Sequence, residues 1–125
     1  MGDLSKNFGK KEFACKCGCG ANKVDKAFIW KLQYARDLAG IPFPISSGCR
    51  CPAHNKREEG RSRSDHLTTE DSYCEGADIA CDNSASRFKI LSAALSAGFR
   101  RIGVSKEFVH LGNASHNPQN VLWTY

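Results

Sequence analysis

The sequence has no long apolar segment and no visible export signal. No apolar run approaches the roughly 18 residues that a membrane-spanning helix needs. The opening stretch MGDLSKNFGKKEF lacks the apolar core of a secretory signal peptide. We therefore expect a chain made in the cytoplasm and not inserted into a membrane, so that any role outside the cell would require another factor to release it.

Internal repeats, low-complexity tracts and linker-like segments are also missing. The 125 residues are 41% hydrophobic and 25% charged, which predicts one globular domain spanning residues 1–125. The net charge of +5 favours an anionic partner such as nucleic acid, phospholipid or cell-wall polymer. Two glutamates interrupt the densest basic stretch, KREEGRSR (56–63), and no nucleic-acid-binding motif accompanies it. A solvated loop is the simplest interpretation of that stretch, and we expect no nucleic-acid partner.

The C-x-x-C spacing of structural zinc sites is absent although cysteine is abundant. The seven cysteines are Cys15, Cys17, Cys19, Cys49, Cys51, Cys74 and Cys81. An odd number cannot all pair within one chain, and cytoplasmic thiols are normally reduced. Packing as reduced thiols is the simplest interpretation. A second, structural zinc ion and disulfides are the alternatives, with Cys74 the most plausible disulfide partner for another cluster.

Two segments have the pattern of helices. Apolar residues follow a 3.6-residue period over 24–39, and 84–97 is a second helix-forming segment. A glycine follows each segment and is a plausible C-cap. Ser84 or Ser86 is expected to cap the second helix at its start.

Other segments are extended or strand-like in sequence. They are 41–48, 75–81, 100–104, 107–111 and 120–125, while 49–55 has the composition of a turn-rich loop. Two prolines exclude a helix from the first segment and favour a sheet edge. In FVHL, a strand would place Phe108 and His110 on one face and Val109 and Leu111 on the other. This order predicts an α+β domain with a small, largely antiparallel sheet and flanking helices.

Asp78 is the most informative single residue because it lies inside the apolar run GADIA. A buried carboxylate is costly unless it is hydrogen-bonded, paired with a charge or bound to a metal. With His66 in a preceding polar loop and His110 in a strand, it would complete a set of two histidines and one carboxylate. That set, with one position left for water, is typical of catalytic zinc. A structural, hydrogen-bonded aspartate is the alternative.

Several motifs together resemble the M15 metallopeptidases, which include zinc D-Ala-D-Ala carboxypeptidases and phage peptidoglycan endopeptidases. They are SSGCRCPAHN, S-x-H at 64–66, GADI at 76–79, FVH at 108–110 and NPQNVLWTY at 117–125. The resemblance extends to the opening KEFACKCGCG and is strongest to small phage-type members. It implies an α+β fold shared with hedgehog signalling domains.

The resemblance implies one zinc ion held by His66, Asp78 and His110. The family pattern S-x-H-x-x-G-x-A-x-D begins at Ser64 and ends at Asp78, with Gly76 in place of its alanine. The interval from His66 to Asp78 is longer here, which suggests an insertion within TTEDSYC. A bulged loop between intact ligands is the simpler accommodation, and replacement of Asp78 by Glu70 or Asp71 is the alternative.

The resemblance also implies roles in binding substrate. Arg50 matches an arginine that contacts a substrate carboxylate, as a guanidinium can through two parallel hydrogen bonds. The alternative for Arg50 is a salt bridge within its loop. Ser64 is expected to help orient the substrate, and His54 to stabilise the loop near the site.

The general base is less clearly marked. Small family members often carry an aspartate two residues after the last histidine, where this chain has Gly112. Other branches use E-x-x-H, which EFVH matches through Glu107. Positions three apart face opposite sides of a strand, so Glu107 must lie at the start of the strand or on a bend. His116 is a poorer candidate.

The resemblance therefore implies zinc-dependent hydrolysis of peptidoglycan stem peptides, by an endolysin-type endopeptidase or a DD-carboxypeptidase. The expected enzyme is a monomer that acts on the cell wall, after release by a holin-type membrane-permeabilising partner if it serves phage lysis. An inactive zinc-binding module of the same fold is the alternative. A cysteine-rich nucleic-acid-binding protein is a third possibility, which leaves Asp78 unexplained.

Overall fold

The fold is that of a computed structural model, which describes residues 2–19, 22–57, 64–69 and 73–125. In chain order its elements are α1 (Lys10–Phe13), α2 (Lys26–Ala39), β1 (Ile45–Ser47), α3 (Pro52–Arg57), β2 (Gly76–Ala80), α4 (Ser84–Ala97), β3 (Arg101–Val104), β4 (Phe108–Gly112) and β5 (Val121–Thr124). Within these ranges no helix is long and apolar enough to cross a membrane.

The strands form one sheet in the order β1-β2-β4-β3-β5. The pairs β1–β2, β2–β4 and β3–β4 are antiparallel, and β3–β5 is parallel. The predicted α+β class with a largely antiparallel sheet is confirmed. The proline-flanked strand β1 lies at an edge, as its sequence indicated.

The two long helices occupy the predicted segments, with one correction at a cap. Both end at glycines in the left-handed conformation, Gly40 with φ 69° and Gly98 with φ 98°. The prediction that Ser84 or Ser86 caps α4 is wrong. Asn83 is the N-cap, and its side-chain oxygen accepts a 2.8 Å hydrogen bond from the backbone N–H of Ser86. Asn83 is extended while both serines are already helical, so only Asn83 can reach an otherwise unpaired N–H of the first turn.

The segment after β1 also differs from expectation. It was predicted to be a turn-rich loop, yet Pro52–Arg57 forms the short helix α3. Proline is well suited to a first helical position, where its missing N–H would have no partner in any case. The turn is closed by the N–H of Asn55, which donates to the carbonyl of Cys51 at 2.9 Å.

The two faces of the sheet have different roles. Val109 and Leu111 are fully buried on the face covered by α2 and α4, where the hydrophobic core lies. Phe108 and His110 point to the opposite face and contact aromatic side chains of the β5 segment. The predicted alternation of FVHL is therefore confirmed, and it leaves one face of the sheet for polar groups.

Candidate metal centre

Three side-chain atoms converge on the polar face of the sheet. The Nε2 atom of His66 lies 3.2 Å from Oδ1 of Asp78 and 3.1 Å from Nδ1 of His110. The last two atoms are 2.9 Å apart. Ligands bonded to tetrahedral zinc at about 2.0–2.1 Å lie roughly 3.3–3.4 Å from one another, so little movement would be needed to bind the ion. We call these three residues the ligand triad.

The sheet register brings two members of the triad together. Asp78 on β2 is the direct cross-strand partner of His110 on β4, so their side chains project side by side from one face. His66 is held beside them by a short bridge to the segment after β1. In that bridge the N–H of Arg50 donates to the carbonyl of His66 at 2.7 Å, and the N–H of Thr68 donates to the carbonyl of Arg50 at 2.8 Å.

Hydrogen bonds on the outer side of each ring decide which nitrogen faces the triad. The Nδ1 atom of His66 lies 2.7 Å from the carbonyl oxygen of Gly48, which can only accept, so Nδ1 carries the proton. The Nε2 atom of His110 donates in the same way to Oδ2 of Asp65 at 2.9 Å. The atoms that converge are then three acceptors, counting that of Asp78. When both rings are neutral, these three buried acceptors attract a cation, and a metal ion fits this donor set.

The electrostatics of the site favour ionised carboxylates. Burial opposes ionisation of Asp65, but hydrogen bonds from His110 and Arg101 outweigh it and lower its pKa to about 2. Burial likewise opposes ionisation of Asp78, and the adjacent rings of His110 and His66 outweigh it and hold its pKa well below the usual range. Burial lowers the pKa of His66. It also acts to lower that of His110, but the two carboxylates outweigh it and raise that pKa. Two negative charges beside two rings make a site that attracts a cation.

Asp65, which none of the sequence motifs marked, is buried at the centre of the site. Its carboxylate binds His110 and accepts from Nε of Arg101 at 3.1 and 3.2 Å. It lies against Gly76 and Gly112, which are paired across β2 and β4. A Cβ on Gly112 would lie 2.5 Å from the carboxyl carbon of Asp65, and one on Gly76 would lie 3.0 Å from its backbone carbonyl carbon. These glycines replace an alanine and an aspartate of the M15 pattern, and those two departures were the available signal for Asp65.

Arg50 and Ser64 both lie next to the ligand triad. The Nε atom of Arg50 is buried and has no hydrogen-bond partner among the described residues. Its backbone N–H donates to the carbonyl of His66 at 2.7 Å, and its positive charge contributes to lowering the pKa of His66. The hydroxyl of Ser64 accepts a 3.2 Å hydrogen bond from the N–H of His66. This hydrogen bond stabilises the turn that carries His66, a member of the ligand triad.

The other candidates lie apart from the triad or outside the described residues. Glu107 is exposed and lies on a bend directly before β4, one of the positions that its proposed role requires. No contact joins its carboxylate to the triad in the described part of the chain. His116 is exposed. The side chain of His54 and the alternative ligands Glu70 and Asp71 are outside the described residues.

Aromatic residues of the β5 segment form a wall beside the triad. The indole ring of Trp123 lies 5.5 Å from the ring of His110, and Tyr125 lies 4.9 Å from Phe108. The indole occupies the space above Gly103, where a Cβ would lie 2.6 Å from its Nε1 atom. Burial raises the pKa of Tyr125, so its hydroxyl is protonated at neutral pH and able to donate. These rings offer an apolar surface with a polar tip next to the metal site.

Two histidines and one carboxylate on a small α+β sheet define a candidate site for a single metal ion. The chain belongs to the Peptidase M15 family, whose sequence model matches residues 6–112 and so includes the whole ligand triad. No curated protein matches the chain. Membership of this family confirms the resemblance drawn from the motifs and supports peptidase activity.

Proposed function

We propose that the protein is a zinc-dependent peptidase that hydrolyses peptide bonds in peptidoglycan stem peptides. The observation that supports a zinc ion is the convergence of three buried nitrogen and oxygen atoms within 3.2 Å of one another, with an outer hydrogen bond that orients each histidine ring. Membership of the Peptidase M15 family indicates that the substrate is a peptide. The net charge of +5 suits an anionic cell wall.

The ligand triad would hold the ion, and the carboxylate of Asp65 would keep the ring of His110 in position. Zinc, when bound, polarises a carbonyl and lowers the pKa of water toward 7. His66, Asp78 and His110 provide the nitrogen and oxygen ligands that zinc accepts. Asp65 accepts a hydrogen bond from Nε2 of His110 and so holds the ring with Nδ1 pointing toward the position that the metal would take.

Glu107 is the proposed proton shuttle. From the bend before β4 its carboxylate would take a proton from the attacking water and return it to the leaving amine. Its exposure on the bend leaves the side chain free to turn toward the triad. Apo arrangements of catalytic groups are often looser than those in the substrate complex.

Arg50 is the proposed substrate anchor, aided by Ser64. A buried guanidinium nitrogen with no described partner beside a metal site is suited to a substrate carboxylate. In a stem peptide that group is either a terminal carboxylate or a carboxylate of D-Glu. We favour the endopeptidase, which cuts within the stem, in the setting of phage lysis with a membrane-permeabilising partner.

Digestion of purified peptidoglycan by the zinc-loaded protein tests the proposal. We expect new amino termini and soluble peptides whose masses identify the cut bond. Glu107→Gln should abolish the release of termini while zinc content stays unchanged. Lys106→Ala, an exposed change on the same bend, is the matched control and should remain active. Wild-type protein that holds zinc and releases no termini would refute the enzymatic proposal.

Two observations favour a second candidate, a zinc-binding module without turnover. The Glu107 carboxylate makes no described contact with the triad, and Gly112 stands where relatives often carry an aspartate. Such a module would hold zinc and retain muropeptides on a column without cleaving them. Cleavage that depends on Glu107 would exclude it.

A further inference from the structure

The structure separates the seven cysteines into two groups. Cys49, Cys74 and Cys81 are buried among core residues, as the packing interpretation expects. Cys17 and Cys19 are exposed, so packing does not account for them. All seven lie within the described residues, and none forms a disulfide.

Four sulfur atoms form a compact cluster at the N-terminal side of the molecule. The Sγ atom of Cys15 lies 3.4 Å from that of Cys17 and 3.8 Å from that of Cys51. The sulfurs of Cys17 and Cys51 are 3.6 Å apart, and that of Cys19 lies within 4.8 Å of the other three. Zinc bonded to four thiolates at about 2.3 Å sets its sulfurs roughly 3.8 Å apart. We call these four residues the cysteine cluster.

The backbone around the cluster is arranged to present sulfur atoms to one point. Gly18, with φ 93°, allows the tight turn of CKCGC, in which its N–H donates to the carbonyl of Cys15 at 3.4 Å. The N–H of Cys51 donates to the sulfur of Cys15 at 3.5 Å. Such a bond stabilises a sulfur that carries negative charge, as a metal-bound thiolate does.

We infer that Cys15, Cys17, Cys19 and Cys51 bind a structural zinc ion, separate from the ion of the ligand triad. Four thiolates close the coordination shell and leave no position for water, which is the mark of a structural site. The inference goes beyond the proposed function, since it does not depend on catalysis.

This second ion would fasten the N-terminal segment to the loop that carries the substrate anchor. Cys51 directly follows Arg50, whose backbone pairs with His66 and Thr68. On the other side, the N–H of Cys49 donates to the carbonyl of Phe13 at 2.8 Å. An ion at the cysteine cluster would thus lock a loop that also supports one ligand of the triad.

Metal content of four proteins, purified under reducing conditions without added metal, tests the inference. We expect two zinc ions per chain in the wild type and one in Asp78→Ala. The double variant Cys17→Ser/Cys19→Ser should also hold one, because its exposed positions spare the core. Cys81→Ser, a cysteine outside both sites, is the matched control and should hold two. One zinc in the wild type that disappears in Asp78→Ala would overturn the inference.

Cobalt substitution identifies the ligands and does not require either variant to be active. Wild type and Asp78→Ala loaded with cobalt should both show the near-ultraviolet absorption of thiolate-to-metal charge transfer. The double cysteine variant should lack that absorption. Its persistence there, or disulfide-linked peptides from the cluster in the purified protein, would refute the site. A protein with both ions and no peptidase activity would refute only the proposed function.

Discussion

Replacing Asp65 by Asn tests whether the buried carboxylate controls metal affinity. The substitution keeps the size of the side chain and an acceptor for the His110 ring, but it removes the charge. A hydrogen bond to a charged group contributes about 1.5–3 kcal/mol and a neutral one about 0.5–1.5 kcal/mol, so the loss is roughly 1–2 kcal/mol. Carboxylates that orient zinc-binding histidines typically change metal affinity by about 10- to 100-fold. We therefore expect zinc affinity to fall about tenfold, since each 1.4 kcal/mol is a factor of ten.

Competition with a chromophoric chelator at neutral pH measures that affinity directly. Arg101→Gln should weaken zinc less, because Arg101 contacts Asp65 and not His110. Asp82→Asn, an exposed carboxylate remote from the triad, is the control for loss of charge. Thermal unfolding of each metal-free variant separates lost affinity from lost structure. A folded Asp65→Asn protein with wild-type zinc affinity would show that Asp65 does not position His110.

Three further predictions concern the packing of Gly112 against Asp65, the N-cap of α4 and stability at low pH. Gly112→Ala should displace Asp65 and lower zinc affinity at least about tenfold by the same chelator competition, because the new Cβ would lie 2.5 Å from the carboxyl carbon. Asn83→Ala should lower the free energy of unfolding in urea by about 1 kcal/mol, while Ser84→Ala, which is not the cap, should change it little. The pKa of Asp65 is lowered from 3.8 to about 2, so its stabilising effect is complete above pH 3.8 and lost as pH falls toward 2. The metal-free wild type should therefore lose more stability over that range than Asp65→Asn, and equal losses would contradict the assignment.

Short-range patterns in the sequence determined most of the fold and marked two residues of the candidate site. Periodicity located α2 and α4, and alternation in FVHL placed His110 opposite the core. Asp78 stood out because burying a carboxylate within the apolar run GADIA costs free energy unless the carboxylate has a partner. Such signals are local, because a helix or strand repeats within a few residues.

Local rules failed where a longer-range contact or a cap decided the structure. The spacing of the cysteines along the chain did not indicate a second metal site, because Cys51, which supplies the fourth sulfur, lies 36 residues from Cys15. Pro52 marked a loop by composition but serves as the first residue of α3. The cysteine cluster is not visible without the fold that brings its two segments together, whereas the helix start at Pro52 follows a local preference that composition alone did not reveal.

The position of Asp65 was decided only by tertiary structure. Its partners are 36 and 45 residues away, at Arg101 and His110. They meet because β2 and β4 pair Gly76 with Gly112 and leave room above both strands. A slip of one residue in that register would turn either Asp78 or His110 toward the core and disperse the site. The sequence by itself determined which residues can bind a metal, and the register of the sheet decided which of them meet.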